Sequence, residues 1–337
     1  MREPSFWWRD AGPLAHLLAP AAALYGAVAA FRLTRAGRRP RIPVVCIGNL
    51  TVGGAGKTPA AIAVARLLQG AGARPAVLTR GYGGQLAGPV IVTPAHAAAE
   101  VGDEPLLLAR VAPTIVARDR VAGAAAAEAA GADVIVMDDG FQNPALAKDL
   151  SLLVVDGRRG IGNGRVVPAG PLRAPLAAQL ARAQALLVVG EPEGAAQRVI
   201  AAARKRALPV LTGRLEPEPG ALAALAGRQV LAFAGIADPE KFFAGLRAGG
   251  IAIAQAKRFA DHHVFTAPEA AALIGSAEAG RLTLVTTEKD LARMAGNPAL
   301  VALAARATAF PVRLAFDDAK LIEALLRNAL KRGAPIS

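Results

Sequence analysis

The strongest chemical signal in the sequence is an eight-residue string, Thr51-Val52-Gly53-Gly54-Ala55-Gly56-Lys57-Thr58. It follows the apolar run Val44-Val45-Cys46-Ile47 and opens a segment of helical periodicity, the context that a Walker A phosphate loop requires. Glycines let backbone N–H groups approach phosphate oxygens closely, and a helix N-terminus adds positive potential. In such a loop Lys57 reaches the β- and γ-phosphates of a nucleotide, and the Thr58 hydroxyl binds magnesium. The usual pattern has glycine where Thr51 stands; Gly53 and Gly54 are read as the compensation. A glycine-rich turn without a ligand is the alternative, and it leaves the Gly-Lys-Thr ending without a packing reason.

A nucleotide site of this type needs an acidic residue at the end of a buried strand, because ligands of parallel sheets collect at the carboxyl ends of strands. Val134-Ile135-Val136-Met137-Asp138-Asp139-Gly140 fits. Asp138 is placed to hold magnesium directly or through water, with Asp139 a second acid at the same edge. A helix cap or turn is the other use of aspartates there. Asp103, in Gly102-Asp103-Glu104-Pro105, is open to two readings. One is a helix N-cap; the other is a carboxylate that accepts a proton from a hydroxyl nucleophile. Of the adjacent His262 and His263, at most one is expected at a given site, since neighbours on an extended chain point apart. The Gly/Pro-rich stretch 160–173 reads as an ordered lid, whose Arg165 and Arg173 either approach a transferred phosphate or are solvated.

The elements that must position these groups alternate. Buried-strand runs fall at Pro43–Gly48, Pro75–Thr79, Thr114–Ala117, Val134–Met137, Leu152–Val155 and Ala185–Val189. Helical stretches fall at Thr58–Leu68, Pro105–Arg110 and Val121–Ala130. The predicted fold is α/β: a P-loop NTPase-like, mostly parallel sheet with helices on both faces. A Pro/Gly seam near residues 213–228 leads into a smaller C-terminal α/β lobe that ends in an amphipathic helix from about Asp318. The expected division is 1–41 for an N-terminal membrane-associated helix and basic connector, 42–215 for the P-loop core domain, and 216–337 for the smaller domain.

Residues Leu14 to Phe31 are apolar except His16, with Phe6, Trp7 and Trp8 before them and Arg32, Arg35, Arg38, Arg39 and Arg41 after. Eighteen helical residues span roughly 27 Å, just short of a typical bilayer core. Arginines on that side suit an anionic cytoplasmic leaflet at about 1 kcal/mol each. Spanning and interfacial arrangements stay open, with a signal peptide and a buried core helix as competing readings. The net charge of +13 calls for an anionic partner. An aromatic content of 4% and the lack of a dense Lys/Arg tract argue against nucleic acid. The single cysteine, Cys46, excludes an internal disulfide and a cysteine zinc site, and reads as a small buried hydrophobe. A P-loop ATPase driving a partner and a tethered nucleotide sensor compete with an enzyme; a GTPase is disfavoured because no Asn-Lys-x-Asp string occurs.

Taken in order, the strings resemble the tetraacyldisaccharide 4'-kinase (lipid A 4'-kinase) family. They are Gly48-Asn49-Leu50 running into Thr58-Pro59, Arg80 to Gly84, Gly102 to Pro105, and Asp138-Asp139-Gly140-Phe141-Gln142. Further on come Gly162 to Arg165, Pro168 to Arg173, Phe233 to Ile236, Asp261-His262-His263 and Thr286 to Asp290. The resemblance implies transfer of the ATP γ-phosphate to the 4'-hydroxyl of an acylated glucosamine disaccharide 1-phosphate, with Mg2+, at the cytoplasmic face of the bacterial inner membrane. It implies that Asp103 takes the hydroxyl proton with His262 as orienting partner, that Asp138 and Asp139 serve magnesium and phosphates, and that two α/β lobes close on substrate. Anionic inner-membrane lipids are the further partner expected; neither nucleic acid nor a protein partner is called for. Two positions depart from the family pattern: Asn143 replaces His, and Ala174 replaces Glu.

Overall fold

The computed structural model describes residues 3–333. Thirteen strands are formed among the described residues. In chain order they are β1 (Val44–Asn49), β2 (Pro75–Thr79), β3 (Val90–Ile91), β4 (Thr114–Val116), β5 (Val134–Asp138), β6 (Leu150–Asp156) and β7 (Ala185–Val189). There follow β8 (Val210–Pro217), β9 (Gln229–Ala234), β10 (Ala252–Arg258), β11 (Thr283–Thr286), β12 (Ala307–Ala309) and β13 (Val312–Phe316). Nine form one sheet in the order β13-β8-β7-β6-β1-β5-β2-β4-β3, and four form another in the order β10-β9-β11-β12. Only the two edge pairings of the large sheet, β13 with β8 and β3 with β4, are antiparallel.

Alternation within the buried strands explains why both faces of the large sheet are covered. Val45, Ile47, Val77, Val134, Val136, Leu152 and Val154 face one core, closed by the helices Lys57–Gly70 and Ala319–Gly333. Val44, Cys46, Ala76, Leu78, Ile135, Met137, Leu153 and Val155 face the other, closed by Arg120–Ala129 and Gly194–Arg204. Each fully buried Val, Ile or Leu contributes about 1.5–3 kcal/mol. Burial also pushes the Cys46 thiol up to about 11, in keeping with a packing role. The second sheet is likewise sandwiched, by Pro239–Ala248 on one side and Ala267–Gly280 on the other.

Two expectations need correcting. The seam read at 213–228 begins later, because β8 runs through Val210–Pro217 and pairs with β13. The last strand and helix therefore return to the large sheet, although the sequence division groups them with the smaller one. The N-terminal apolar stretch is two helices, Pro13–Leu17 and Ala19–Thr34, meeting at Leu18. No helix among the described residues is long and apolar enough to cross a membrane. Ala22 and Gly26 are the buried residues of the second helix; a Cβ on Gly26 would lie 3.4 Å from Pro175 Cγ. Leu17, Leu24, Val28 and Phe31 stay exposed.

Candidate active site

The loop between β1 and Lys57–Gly70 is shaped by two left-handed residues, Gly53 (φ +100°) and Gly56 (φ +87°), a conformation costly for any other residue type. Thr51, by contrast, has no positive φ. It forms an antiparallel bridge with Leu172. Val52 N donates to Pro171 O (2.8 Å) and Arg173 N donates to Leu50 O (2.9 Å). The lid thus adds a short strand to the start of the loop, and a threonine serves where the usual pattern has glycine. Inside the loop Gly53 O accepts from Asn49 Nδ2 (3.0 Å) and from Lys57 Nζ (3.3 Å). The Lys57 ammonium lies 3.8 Å from Asp139 Oδ2.

β5 ends at the mouth of this loop, because it pairs with β1 in register up to Ile47 and Asp138. Asp138 is fully buried, and neither carboxylate oxygen has a hydrogen-bond partner among the described residues. Burial, reinforced by the Glu104 and Asp139 charges, pushes it up to about 7. An unpartnered buried carboxylate is costly and calls for a cation. Magnesium commonly takes one or two carboxylates plus phosphate oxygens, so the oxygen donors Asp138 and Thr58 fit it. No group of three or more His, Cys, Asp or Glu suited to a metal occurs among the described residues, and such a site does not require one. Asp139 has the opposite balance. Burial pushes its carboxyl up, but Lys57 and the Arg173 fork outweigh this and hold it below the usual range. Arg173 Nη1 and Nη2 lie 2.7 and 3.2 Å from its two oxygens, and Arg173 Nε donates to Thr51 O (2.9 Å). Arg173 therefore belongs to the site, whereas Arg165 joins the lid through its backbone, giving N–H to Asn163 Oδ1 and accepting from Leu172 N.

Across the same edge, Gly102 (φ +94°) caps the helix Asp103–Leu108, which puts Asp103 in the first turn and not at the cap position. Its side chain is 3% exposed. Oδ1 accepts from Glu104 N (2.9 Å), and Oδ2 accepts from Arg293 Nε (2.7 Å). His262 Nδ1 stands 3.7 Å from Oδ2, too far for a hydrogen bond. His262 is left-handed (φ +54°) and its ring lies 5.2 Å from Tyr82. His263 points elsewhere, to Glu269 (3.0 Å) and the Phe259 ring, so the two histidines do separate. Glu104 pairs with Lys289 Nζ (2.5 Å). Burial pushes Glu104 up, and Lys289 and Lys57 more than reverse it, to about 2.

Several of these groups were missing from the sequence reading. Lys289, present in the sequence reading only within the string Thr286 to Asp290 and with no role, and Arg293 come from the second sheet's helix Glu288–Met294, about 190 residues from their partners; their i,i+4 spacing on a short helix is the further sign of a shared face. Glu3 is another. Its carboxylate receives Arg159 Nη1 (3.1 Å) and Trp8 Nε1 (3.0 Å) and packs against Gly53 at the loop. Of the two departures, Asn143 makes a turn through Ala145 N (2.8 Å), and Ala174 is fully buried, so no carboxylate stands there.

The parallel sheet, the strand-to-helix glycine turn and the acid-ended neighbouring strand define a P-loop α/β protein. Comparison with known proteins narrows this further. A profile of the tetraacyldisaccharide-1-P 4'-kinase family matches residues 14–331. The chain is 59% identical over 337 residues to a tetraacyldisaccharide 4'-kinase of Methylobacterium sp. (strain 4-46), covering 99% of each chain. It is 55% identical over 333 residues to that of Nitrobacter winogradskyi, covering 98% of each. A crystal structure of LpxK from Aquifex aeolicus in complex with ATP superposes with a TM-score of 0.73 at 26% identity, over 94% of this chain and 99% of that one. The chain belongs to the tetraacyldisaccharide 4'-kinase family.

Proposed function

We propose that this chain transfers the γ-phosphate of ATP to the 4'-hydroxyl of a tetraacylated glucosamine disaccharide 1-phosphate, as the names of its relatives suggest. The observation that carries the reading is the convergence of the 51–58 loop with Lys57, the unpartnered Asp138, and the helix start Asp103-Glu104, whose Glu104 charge acts on both Lys57 and Asp138. Phosphoryl transfer passes through a loose transition state, so positioning and charge stabilisation dominate. Backbone amides of Thr51 to Thr58 cradle the phosphates, and Lys57 leaves Gly53 O and Asp139 to reach them. Asp138 and Thr58 would hold Mg2+, which supplies positive charge against the phosphate oxygens when bound. Arg173 keeps Asp139 occupied, so that Lys57 is shared and not captured. Asp103 accepts the sugar hydroxyl proton as the new P–O bond forms. His262, partly exposed beside the buried carboxylate, is placed to pass that proton to solvent.

The N-terminal helices suit a substrate that is both acylated and anionic. Their exposed Leu17, Leu24, Val28 and Phe31 precede Arg32 and Arg35, an arrangement for lying in the headgroup region of an anionic membrane surface and not for crossing it.

Incubation with ATP, Mg2+ and the acylated disaccharide 1-phosphate, followed by mass spectrometry of the lipid, tests the reading. Addition of one phosphate at the 4'-position is expected. Hydrolysis of ATP without addition would instead support a partner-driving ATPase.

A further inference from the structure

The group that holds Asp103 is not the histidine. Arg293 spends three N–H directions on three partners: Nε on Asp103 Oδ2 (2.7 Å), and Nη1 on Gly235 O (2.8 Å) and Asp290 Oδ1 (2.9 Å). Asp290 is itself fixed. It is fully buried, its Oδ1 and Oδ2 each accept from Gly235 N (3.1 Å), and its Oδ2 accepts from Thr287 Oγ1 (2.6 Å). Gly235 O also accepts from His262 N (3.1 Å), so one carbonyl ties the His262 loop to Arg293. Gly235 has no room for a side chain to intrude here: a Cβ would lie 3.0 Å from Asp290 Oδ1 and from His263 Cβ. Arg293 Nη2 is buried and unpartnered among the described residues. In a planar guanidinium, Nη2 lies on the same side of the fork as Nε, which here is the side of Asp103. An arginine whose only task was to join the two sheets would have its buried donors satisfied.

We propose that Arg293, braced by Asp290 and Gly235, is the positioning residue for Asp103, aiming Oδ2 at the acceptor hydroxyl. This rests on the reading of Asp103 as proton acceptor. It deepens that reading, because the aiming group is delivered by the second sheet: Asp103 is fully oriented only while the helix Glu288–Met294 is docked on the helix Asp103–Leu108. Lys289 on Glu104 and Glu288 on Arg110 (3.2 Å) form the rest of that docking contact. The functional reading and the docking reading differ in where an Arg293 substitution acts. A lost docking contact alone lowers stability and leaves the remaining folded enzyme's turnover intact. A lost positioning residue lowers turnover in enzyme that is folded and saturated with both substrates.

The test is steady-state kinetics on Arg293→Met, Arg293→Gln and Arg293→Lys, with Asp103→Asn alone and combined with each, using ATP and the acylated disaccharide 1-phosphate. Melting curves establish the folded fraction. Arg293→Met and Arg293→Gln are expected to lower kcat about 10- to 100-fold with the KM for ATP within about twofold, and Arg293→Lys, which keeps the charge but not the fork, to recover only part of the loss. In the Asp103→Asn background the same changes are expected to cost less than about threefold, since a residue acting through Asp103 has nothing left to aim. If Arg293→Met does not fold, the Gln and Lys variants carry the comparison. Unchanged kcat in the Gln variant, a loss confined to the KM for ATP, or a full multiplicative loss on top of Asp103→Asn overturns the proposal. If Asp103→Asn alone keeps wild-type turnover, the underlying reading of Asp103 fails instead.

Discussion

Replacing Arg173 by Met removes the fork that joins the lid to both the phosphate loop and the acid pair. The lost side-chain contacts are two charge-assisted bonds to Asp139 (2.7 and 3.2 Å), one bond to Thr51 O (2.9 Å) and a longer one from Nη1 to Gln142 Oε1 (3.3 Å). Hydrogen bonds to charged groups contribute about 1.5–3 kcal/mol each when buried. Here the two side chains are 22% and 33% exposed, so solvent screening discounts the sum. A net loss of about 2–4 kcal/mol follows, a fall in Tm of roughly 5–10 °C for a domain of this size. The second effect is on Lys57. Without Arg173, Lys57 is the closest cation to Asp139 (3.8 Å), and its capture there weakens its hold on phosphate. Affinity for a non-hydrolysable ATP analogue should fall on the order of 10-fold, about 1.4 kcal/mol. Arg173→Lys keeps the charge but not the fork and should recover at most half of either effect. Differential scanning fluorimetry and titration calorimetry read both quantities. An Arg173→Met protein that melts within a degree of wild type and binds the analogue equally well would refute the reasoning. So would a Lys variant indistinguishable from wild type, since a point charge would then suffice.

Other substitutions separate the remaining roles. Lys57→Met should cost on the order of 10²-fold in ATP-analogue affinity while leaving the melting curve close to wild type; calorimetry showing unchanged affinity would remove Lys57 from the phosphate site. The folded-state pKa of Asp138 is raised, so without a cation the folded chain keeps a proton that the unfolded chain has released, and stability falls as pH rises towards about 7. Asp138→Asn should therefore raise the Tm in EDTA at pH 8, with the gain shrinking towards pH 5, while turnover is lost; a gain that ignores pH contradicts the burial argument. Asp156 is pushed up by burial but held below the usual range by Lys241 (2.9 Å) and the Arg159 and Arg158 amides. Its contribution is present above the ordinary carboxylate range and is lost as pH falls through the depressed value, so Lys241→Met should unfold at higher pH in an acid titration. Leu17→Glu with Leu24→Glu should abolish co-sedimentation with anionic phospholipid vesicles and spare turnover on detergent-dispersed substrate; retained sedimentation would move the membrane contact elsewhere.

The parts of the fold legible from sequence are those set by local pattern. Pro75–Thr79 and Ala185–Val189 were bounded correctly because each is a short apolar run between polar or glycine-rich turns, wholly buried in the middle of a parallel sheet. The turn that opens the helix Lys57–Gly70 was legible because its glycine spacing encodes the left-handed backbone at Gly53 and Gly56. β8 was less so. Buried Leu211 and Gly213 alternate with exposed Thr212 and Arg214, its second half is only partly buried, and Pro217 reads as a breaker, yet it lies one strand from the sheet edge, where pairing with β13 after a long excursion holds it. The adequacy of Thr51 was likewise invisible, since it depends on a bridge to Leu172 in a distant lid. The same holds for Arg293. An arginine on a short helix has no sequence mark of its partner, and the resemblance directed attention to His262, which stands 3.7 Å away without bonding. Asp103 was read as either a cap or a base; the structure puts Gly102 at the cap and leaves the carboxylate held by Glu104 N and Arg293.

A crystal structure of this chain with an ATP analogue and Mg2+ tests the proposed phosphate cradle directly. The triphosphate should lie along the amides of Thr51–Thr58, with Lys57 Nζ moved from Gly53 O onto a phosphate oxygen and Asp138 and Thr58 facing the metal. Nucleotide bound away from this turn, with Lys57 still on Gly53 O and Asp139, would contradict it.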